Sequence, residues 1–294
     1  MMKKKGTLRD LGTFLIFGGP SLFAFLVVIL IPMIFGLYLT FTNWNMQTGS
    51  HSFIWFSNYQ EVFNDKAYLV QLWFTLKYVF FTVIFANIGA FLLGLALSRG
   101  IKGRNFIRTG FFTPNLIGGL VLGYLWQFLF SQVLPYLGRH YGWTLFQTSW
   151  LTNTVKAFWA LVIVNAWQLM GYLMIVYIAG FMSVPDDILE AADIDGTSGF
   201  SKVIRIILPL SIPAIVVCLF LSISRSFLTY DLNLALTNGG PYGSTELASY
   251  HIVQKAFLSN EYGVGQAEAI VLFLIVAVIA LTQAYLMKKV EVDA

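Results

Sequence analysis

The sequence predicts an all-α polytopic membrane protein with six transmembrane helices. Composition is the first observation behind this reading. Hydrophobic types make up 57% of the 294 residues and charged types 11%, against roughly 25% charged in a typical soluble domain. Mean hydropathy is +0.73, and so few charges cannot cover a water-facing surface. The second observation is the distribution of those charges. No Asp, Glu, Lys or Arg occurs between Asp10 and Glu61. Further charge-free runs cover Tyr78–Ser98, Thr109–Gly138, Ala157–Pro185, Ile206–Ser224 and Ala269–Met287. The third is the absence of alternating ten-residue units, which excludes an outer-membrane barrel pattern.

A bilayer core about 30 Å thick takes about 20 apolar helical residues, and a buried charge costs on the order of 3 kcal/mol. The runs therefore give spans at about 14–41, 69–97, 110–131, 156–182, 206–228 and 267–287, within one transmembrane domain over 1–294. No Asp or Glu lies deep in any of them. Lys and Arg fix the expected orientation. With the N-terminus inside, twelve of the 18 basic residues fall inside, among them Lys3, Lys4, Lys5, Arg9, Arg99, Lys102 and Lys202. Lys66, Arg139, Lys156 and Lys255 fall outside, and Lys77 and Arg225 lie within spans. Both termini are thus expected on the inside of the membrane. The basic N-terminus resembles a signal peptide, but its apolar run lacks an A-x-A-like site and is long enough to span.

Several chemistries are excluded. One Cys rules out a disulfide scaffold. The net charge of +4 comes from basic residues at span ends, so it does not point to nucleic acid. His51, His140 and His251 lie far apart in loops, without metal-ligand spacing. There is no G-x-x-x-x-G-K-[ST] phosphate loop, and Gly263-Val264-Gly265 is too short for a dinucleotide loop. No catalytic residue set, metal site or cofactor is expected on this chain.

One inside segment stands apart, residues 183–213, SVPDDILEAADIDGTSGFSKVIRIILPLSIP. It reads as two short helices. Pro185 suits a helix start, and Asp186, Asp187 and Glu190 load the first turns with negative charge. Gly196 can end that helix and Ser198 can cap the next. Phe200, Val203, Ile204 and Ile207 then form one apolar stripe. Pro209 and Pro213 redirect the chain into the fifth span. By itself the stripe could equally pack on the protein's own spans or lie in the lipid interface.

This segment resembles the EAA loop of binding-protein-dependent ABC importer permeases. Glu190, Ala191 and Ala192 are followed at the family's spacing by Gly196, Ile206, Leu208 and Pro209, with Asp195 before the glycine. Thr197 stands where the family usually has Ala. LYLTFTNWN at 37–45 and Thr237-Asn238-Gly239-Gly240-Pro241 are similar to segments of the MalF-like carbohydrate permeases. The resemblance covers the whole chain and implies a type I ABC importer permease fold. It implies a second, MalG-like permease subunit, an ATPase dimer that carries ATP and Mg, and an extracellular solute-binding protein. The coupling loop at 183–209 would dock the ATPase through Glu190, Ala191, Ala192, Asp195, Gly196, Phe200, Val203, Ile206, Leu208 and Pro209. The cargo implied is a sugar, with oligosaccharide favoured by branch resemblance.

Sugar passage needs hydroxyl partners and flat apolar faces in the spans. Asn165, Gln168 and Tyr172 share one face of the fourth span. Ser222, Arg225, Ser226 and Thr229 share one face of the fifth. The family places sugar contacts on these two spans, and Asn165 and Ser222 look equivalent to polar contact positions there. Read without the family, the same groups serve as interhelical hydrogen bonds. Arg225 must face a cavity, find a partner or snorkel to the interface. Trp126, Gln127 and Asn87 are weaker candidates. Gly119-x-x-x-Gly123 and the series Ala86, Ala90, Gly94 and Ser98 read as close helix packing. The rival reading is an ion-coupled secondary transporter. It would want an inverted repeat and an intramembrane carboxylate, and the sequence offers neither.

Overall fold

A computed structural model describes residues 6–44, 52–98, 101–197 and 199–289. Lys3, Lys4, Lys5, Asn45, His51, Arg99 and the expected cap Ser198 lie outside the described residues. The described chain is helical, with one isolated antiparallel bridge between Thr42 and Phe53. In chain order, α1 is the apolar stretch Thr13–Leu39. It is followed by α2 (Ser57–Asn64), α3 (Lys66–Ser98) and α4 (Arg104–Leu116). Next come α5 (Gly119–Tyr141), α6 (Thr154–Met182), α7 (Asp186–Ile194), α8 (Gly199–Leu210) and α9 (Ile212–Phe227). The last are α10 (Asp231–Leu236), α11 (Ala248–Val253) and α12 (Tyr262–Lys288). Five of these are long and apolar enough to cross a membrane, and the bent pair α8–α9, counted as one span, gives six.

The chain divides into two compact units, Met1–Asp65 with Ile252–Ile270, and Lys66–His251 with Val271–Ala294. In the first unit, Asn58 Nδ2 donates to the carbonyls of Thr40 at 2.8 Å and Thr42 at 2.9 Å. These carbonyls lie just past the end of α1, where the helix no longer supplies partners. Lys255 sits 2.7 Å from Glu261, 3.4 Å from Glu61 and 3.8 Å from Asp65. Burial pulls its ammonium down, but the hydrogen bond to Glu261 and the charges of Glu261 and Glu61 outweigh that. Its pKa is left above the ordinary lysine value. Glu268, seven residues into α12, is fully buried.

The second unit is built on α6, the most buried of the apolar helices. Asn153 caps it, accepting from the N–H groups of Val155 at 3.1 Å and Lys156 at 3.0 Å. Its Ala166, Leu169, Leu173, Met174 and Tyr177 pack with Ala86, Ala90 and Leu97 of α3 and Cys218 of α9. Close approach is set by small residues, as the sequence anticipated. A β-carbon on Gly123 would meet Ala235 and Leu236 of α10, and one on Gly94 would meet Tyr177 and Phe181.

Two crossings differ from the expected spans. The third runs Gly119–Tyr141, not 110–131. Residues 104–116 form a separate helix, because extended backbone at Ile117 and Gly118 ends it. The fifth, expected at 206–228, bends by 73° between Leu210 and Ile212. There Pro213 at the second position of α9 restarts the helix.

Candidate functional site

The break between α4 and α5 positions one wall of a polar cavity of about 280 Å³ within the second unit. Its polar lining comes from Asn115 before the break, Asn165 and Gln168 of α6, Arg225 and Thr229 around the end of α9, and Asp231 opening α10. Helix α4 reaches this position because Gly171 lets α6 touch its backbone. A β-carbon on Gly171 would overlap the Phe111 carbonyl. At the break the Ile117 carbonyl accepts from Gln168 Nε2 at 3.1 Å. Irregular backbone at membrane depth is tolerated where it is satisfied in this way and lines a cavity.

Arg225 is the strongest group in the cavity. Its Nη1 donates to Asn115 Oδ1 at 2.9 Å, and its guanidinium lies 4.7 Å from the centre of the Tyr172 ring. Of the roles left open for it, Arg225 thus lines the cavity and has a partner. Asn165 Nδ2 donates to the Tyr78 hydroxyl at 2.5 Å and to Thr229 Oγ1 at 3.2 Å. The cavity thus offers N–H donors from Arg225, Gln168 and Asn115, and oxygen acceptors from Asn115, Thr229 and Asp231.

The two polar stripes fare differently. Asn165 and Gln168 line the cavity, and Tyr172 supports it by carrying Arg225 on its ring face. The fifth-span stripe is split. Arg225 and Thr229 face the cavity, whereas Ser222 is fully buried in another polar layer. In that layer Asn87 Nδ2 donates to Ser222 Oγ at 2.9 Å, and the Tyr177 hydroxyl donates to Asn87 Oδ1 at 2.9 Å. Ser226 is also fully buried, and its hydroxyl has no hydrogen-bond partner among the described residues. Asn87 is the structural link that the sequence suggested. Trp126 packs edge-on against Trp167, away from the cavity lining. Asn115, Tyr78 and Asp231 were missed. The available signal for Asn115 was its place between Pro114 and the Gly118-Gly119 pair inside an apolar run.

The hairpin residues are arranged as follows. Helix α7 starts after Pro185 with Asp186 and Asp187 in its first turn. It ends in a Schellman turn, where Gly196 N–H donates to Asp193 O at 3.1 Å and Thr197 N–H to Ala192 O at 3.0 Å. Gly196 has φ +71°, which glycine adopts without the β-carbon penalty. Glu190, Ala191, Asp195 and Leu208 are exposed, Ala192 is buried, and Ile206 and Pro209 are half-buried. The expected single stripe divides, because a π-turn over Val203–Ile207 rotates α8. Val203 and Ile207 turn inward onto the core, while Phe200 and Ile204 stay exposed with Ile194. In the Thr237–Pro241 segment, Asn238 and Gly239 take left-handed backbone. Asn233 braces it by donating to Thr237 Oγ1 at 2.9 Å and to the Thr245 carbonyl at 2.8 Å.

The second unit thus sets a polar cavity among apolar helices and a helical hairpin after α6, the layout that the resemblance to transport permeases led us to expect. Comparison with known proteins agrees. The family model described as binding-protein-dependent transport system inner membrane component matches residues 86–292. The chain is 39% identical to the probable starch degradation products transport system permease protein AmyD of Thermoanaerobacterium thermosulfurigenes, over all of both chains. It is 31% identical to the multiple sugar-binding transport system permease protein MsmF of Streptococcus mutans, over 89% of this chain and 90% of that one. Its fold is similar to that of a bacterial ABC transporter involved in import of the acidic polysaccharide alginate. The TM-score there is 0.83 at 22% identity, covering 96% of this chain and 98% of that one. The chain belongs to the binding-protein-dependent transport system inner membrane component family. It is a multi-pass membrane permease of the carbohydrate branch, as the resemblance of the EAA loop implied.

Proposed function

We propose that this chain forms half of the pathway of an ATP-driven sugar importer, with both termini and the hairpin on the cytoplasmic side. The observation that carries this is the cavity holding Asn115, Asn165, Gln168, Arg225 and Asp231 among membrane helices, in a chain related to permeases named for starch products and multiple sugars. Sugar hydroxyls donate and accept, and the cavity supplies both kinds of partner. A MalG-like permease completes the pathway. A solute-binding protein delivers sugar from outside, and an ATPase dimer carrying ATP and Mg docks on Glu190, Gly196 and the exposed apolar residues of the hairpin. Closure of that dimer moves the hairpin as a rigid body and turns the helices outward. The substrate class we favour is oligosaccharide.

The test is uptake of labelled maltotriose into proteoliposomes holding the full importer and its binding protein. Uptake should require ATP and the binding protein and should ignore an ion gradient. Gradient-driven uptake without ATP would instead support the ion-coupled reading. Orientation is checked separately in cells. A cysteine at Lys102 should resist an impermeant thiol reagent and one at Tyr242 should react, since Tyr242 is fully exposed.

A further inference from the structure

The hairpin helices α7 and α8 present Ile194 and Phe200 on its surface, 87% and 77% exposed. The angle between the two helices therefore decides the shape that these side chains offer. Apolar packing does not fix this angle throughout. A cavity of about 620 Å³ lies behind the hairpin, lined by Asp193, Thr197 and Lys202 together with Leu95, Ser98 and Phe181 of α3 and α6. Across it reaches the Lys202 side chain. Its Nζ pairs with the Asp193 carboxylate and lies 3.5 Å from the Leu189 carbonyl, so one residue of α8 grips two successive turns of α7.

We propose that Lys202 is the positioning residue of this hairpin: its ammonium clasps α7 to α8 and so sets the surface presented by Ile194 and Phe200. The role rests on the reading of the hairpin as the ATPase dock. Exposed ion pairs add little to stability, and Asp193 is 66% exposed. The Lys202 side chain is only 13% exposed, however, with its stem laid along the cavity wall while its head is held by α7. Removing the head leaves the hollow without a polar tie. The hairpin stays helical but loses its fixed angle, and a rigid lever becomes a loose one.

The experiment measures the angle and the docking separately on the complete importer. Spin labels are placed on cysteines at Ile188 and Ile204, both exposed positions on the two helices, and inter-label distances are read by pulsed electron resonance. The parent should give a narrow distribution, and Lys202→Met a broad one. The exchange Lys202→Asp with Asp193→Lys should narrow it again. In parallel, titration of the ATPase subunit onto the purified permease pair should weaken about two- to fivefold for Lys202→Met and recover in the exchange. An unchanged distribution in Lys202→Met overturns the clasp. A broadened distribution with unchanged ATPase affinity overturns the positioning role. Phe200→Ala and Ile194→Ala serve as the check on the underlying reading. If neither weakens ATPase binding, the dock lies elsewhere, whatever the distances report.

Discussion

Arg225 Nη1 bonds Asn115 Oδ1 at 2.9 Å across 110 residues of sequence, joining the end of α9 to the break between α4 and α5. The same guanidinium lies over Tyr172 of α6, so one side chain ties three helices at the cavity wall. Arg225→Lys keeps the charge but loses the planar fork that meets Asn115 and the ring together. A hydrogen bond from a charged group is worth about 1.5–3 kcal/mol. Maltotriose uptake by Arg225→Lys should therefore fall about tenfold or more, with normal assembly of the complex on size exclusion.

Asn165 and Ser222 should separate. Asn165 lines the cavity and Ser222 does not. Asn165→Ala should raise the apparent KM for uptake several-fold, as loss of one hydrogen bond worth about 0.5–1.5 kcal/mol implies. Ser222→Ala should leave KM unchanged. It should lower the unfolding temperature instead, because Asn87 loses its partner on α9.

Gly171 should tolerate no side chain. Gly171→Ala drives a methyl group into the Phe111 carbonyl, and overpacking of this kind costs typically about 1–3 kcal/mol. The variant should show reduced thermal stability and reduced maltotriose uptake together, since the displaced α4 carries Asn115.

Lys255 gives the first unit a pH dependence of defined sign. Its pKa is raised in the folded state, so its contribution is complete below the unfolded lysine value of about 10.4. That contribution fades as pH rises through the higher folded value. Thermal melts should lose stability on the alkaline side of this window. Lys255→Met should lower the melting temperature at pH 7 and flatten that alkaline loss.

The EAA loop was legible because its positions are fixed by backbone needs as well as chemistry. Gly196 stands where a left-handed turn is required, and the acidic first turn precedes it at helical spacing. Asn165 and Gln168 were legible from periodicity, which assigns residues to one face of a helix. Periodicity does not say which neighbour that face meets, and so Ser222 shared a stripe with Arg225 yet faces Asn87. The third crossing was misplaced because a charge-free run gives the length available to a span, not where the chain turns. Pro114 and Gly118-Gly119 carried that information and with it Asn115. The division of the Phe200 stripe follows from a π-turn at Val203–Ile207, which adds one residue to a turn and has no signature in hydrophobic spacing.

The central claim, that the hairpin after α6 receives the ATPase, is tested most directly by ATP hydrolysis in the purified importer carrying Gly196→Val. A β-branched residue at φ +71° costs roughly 1–2 kcal/mol in left-handed backbone and tilts α8 with Phe200. Hydrolysis stimulated by the sugar-loaded binding protein should drop several-fold, while the two permease chains remain paired. Full ATPase retention and full stimulation in Gly196→Val, and likewise in Glu190→Ala, would contradict the account and return the hairpin to a packing element.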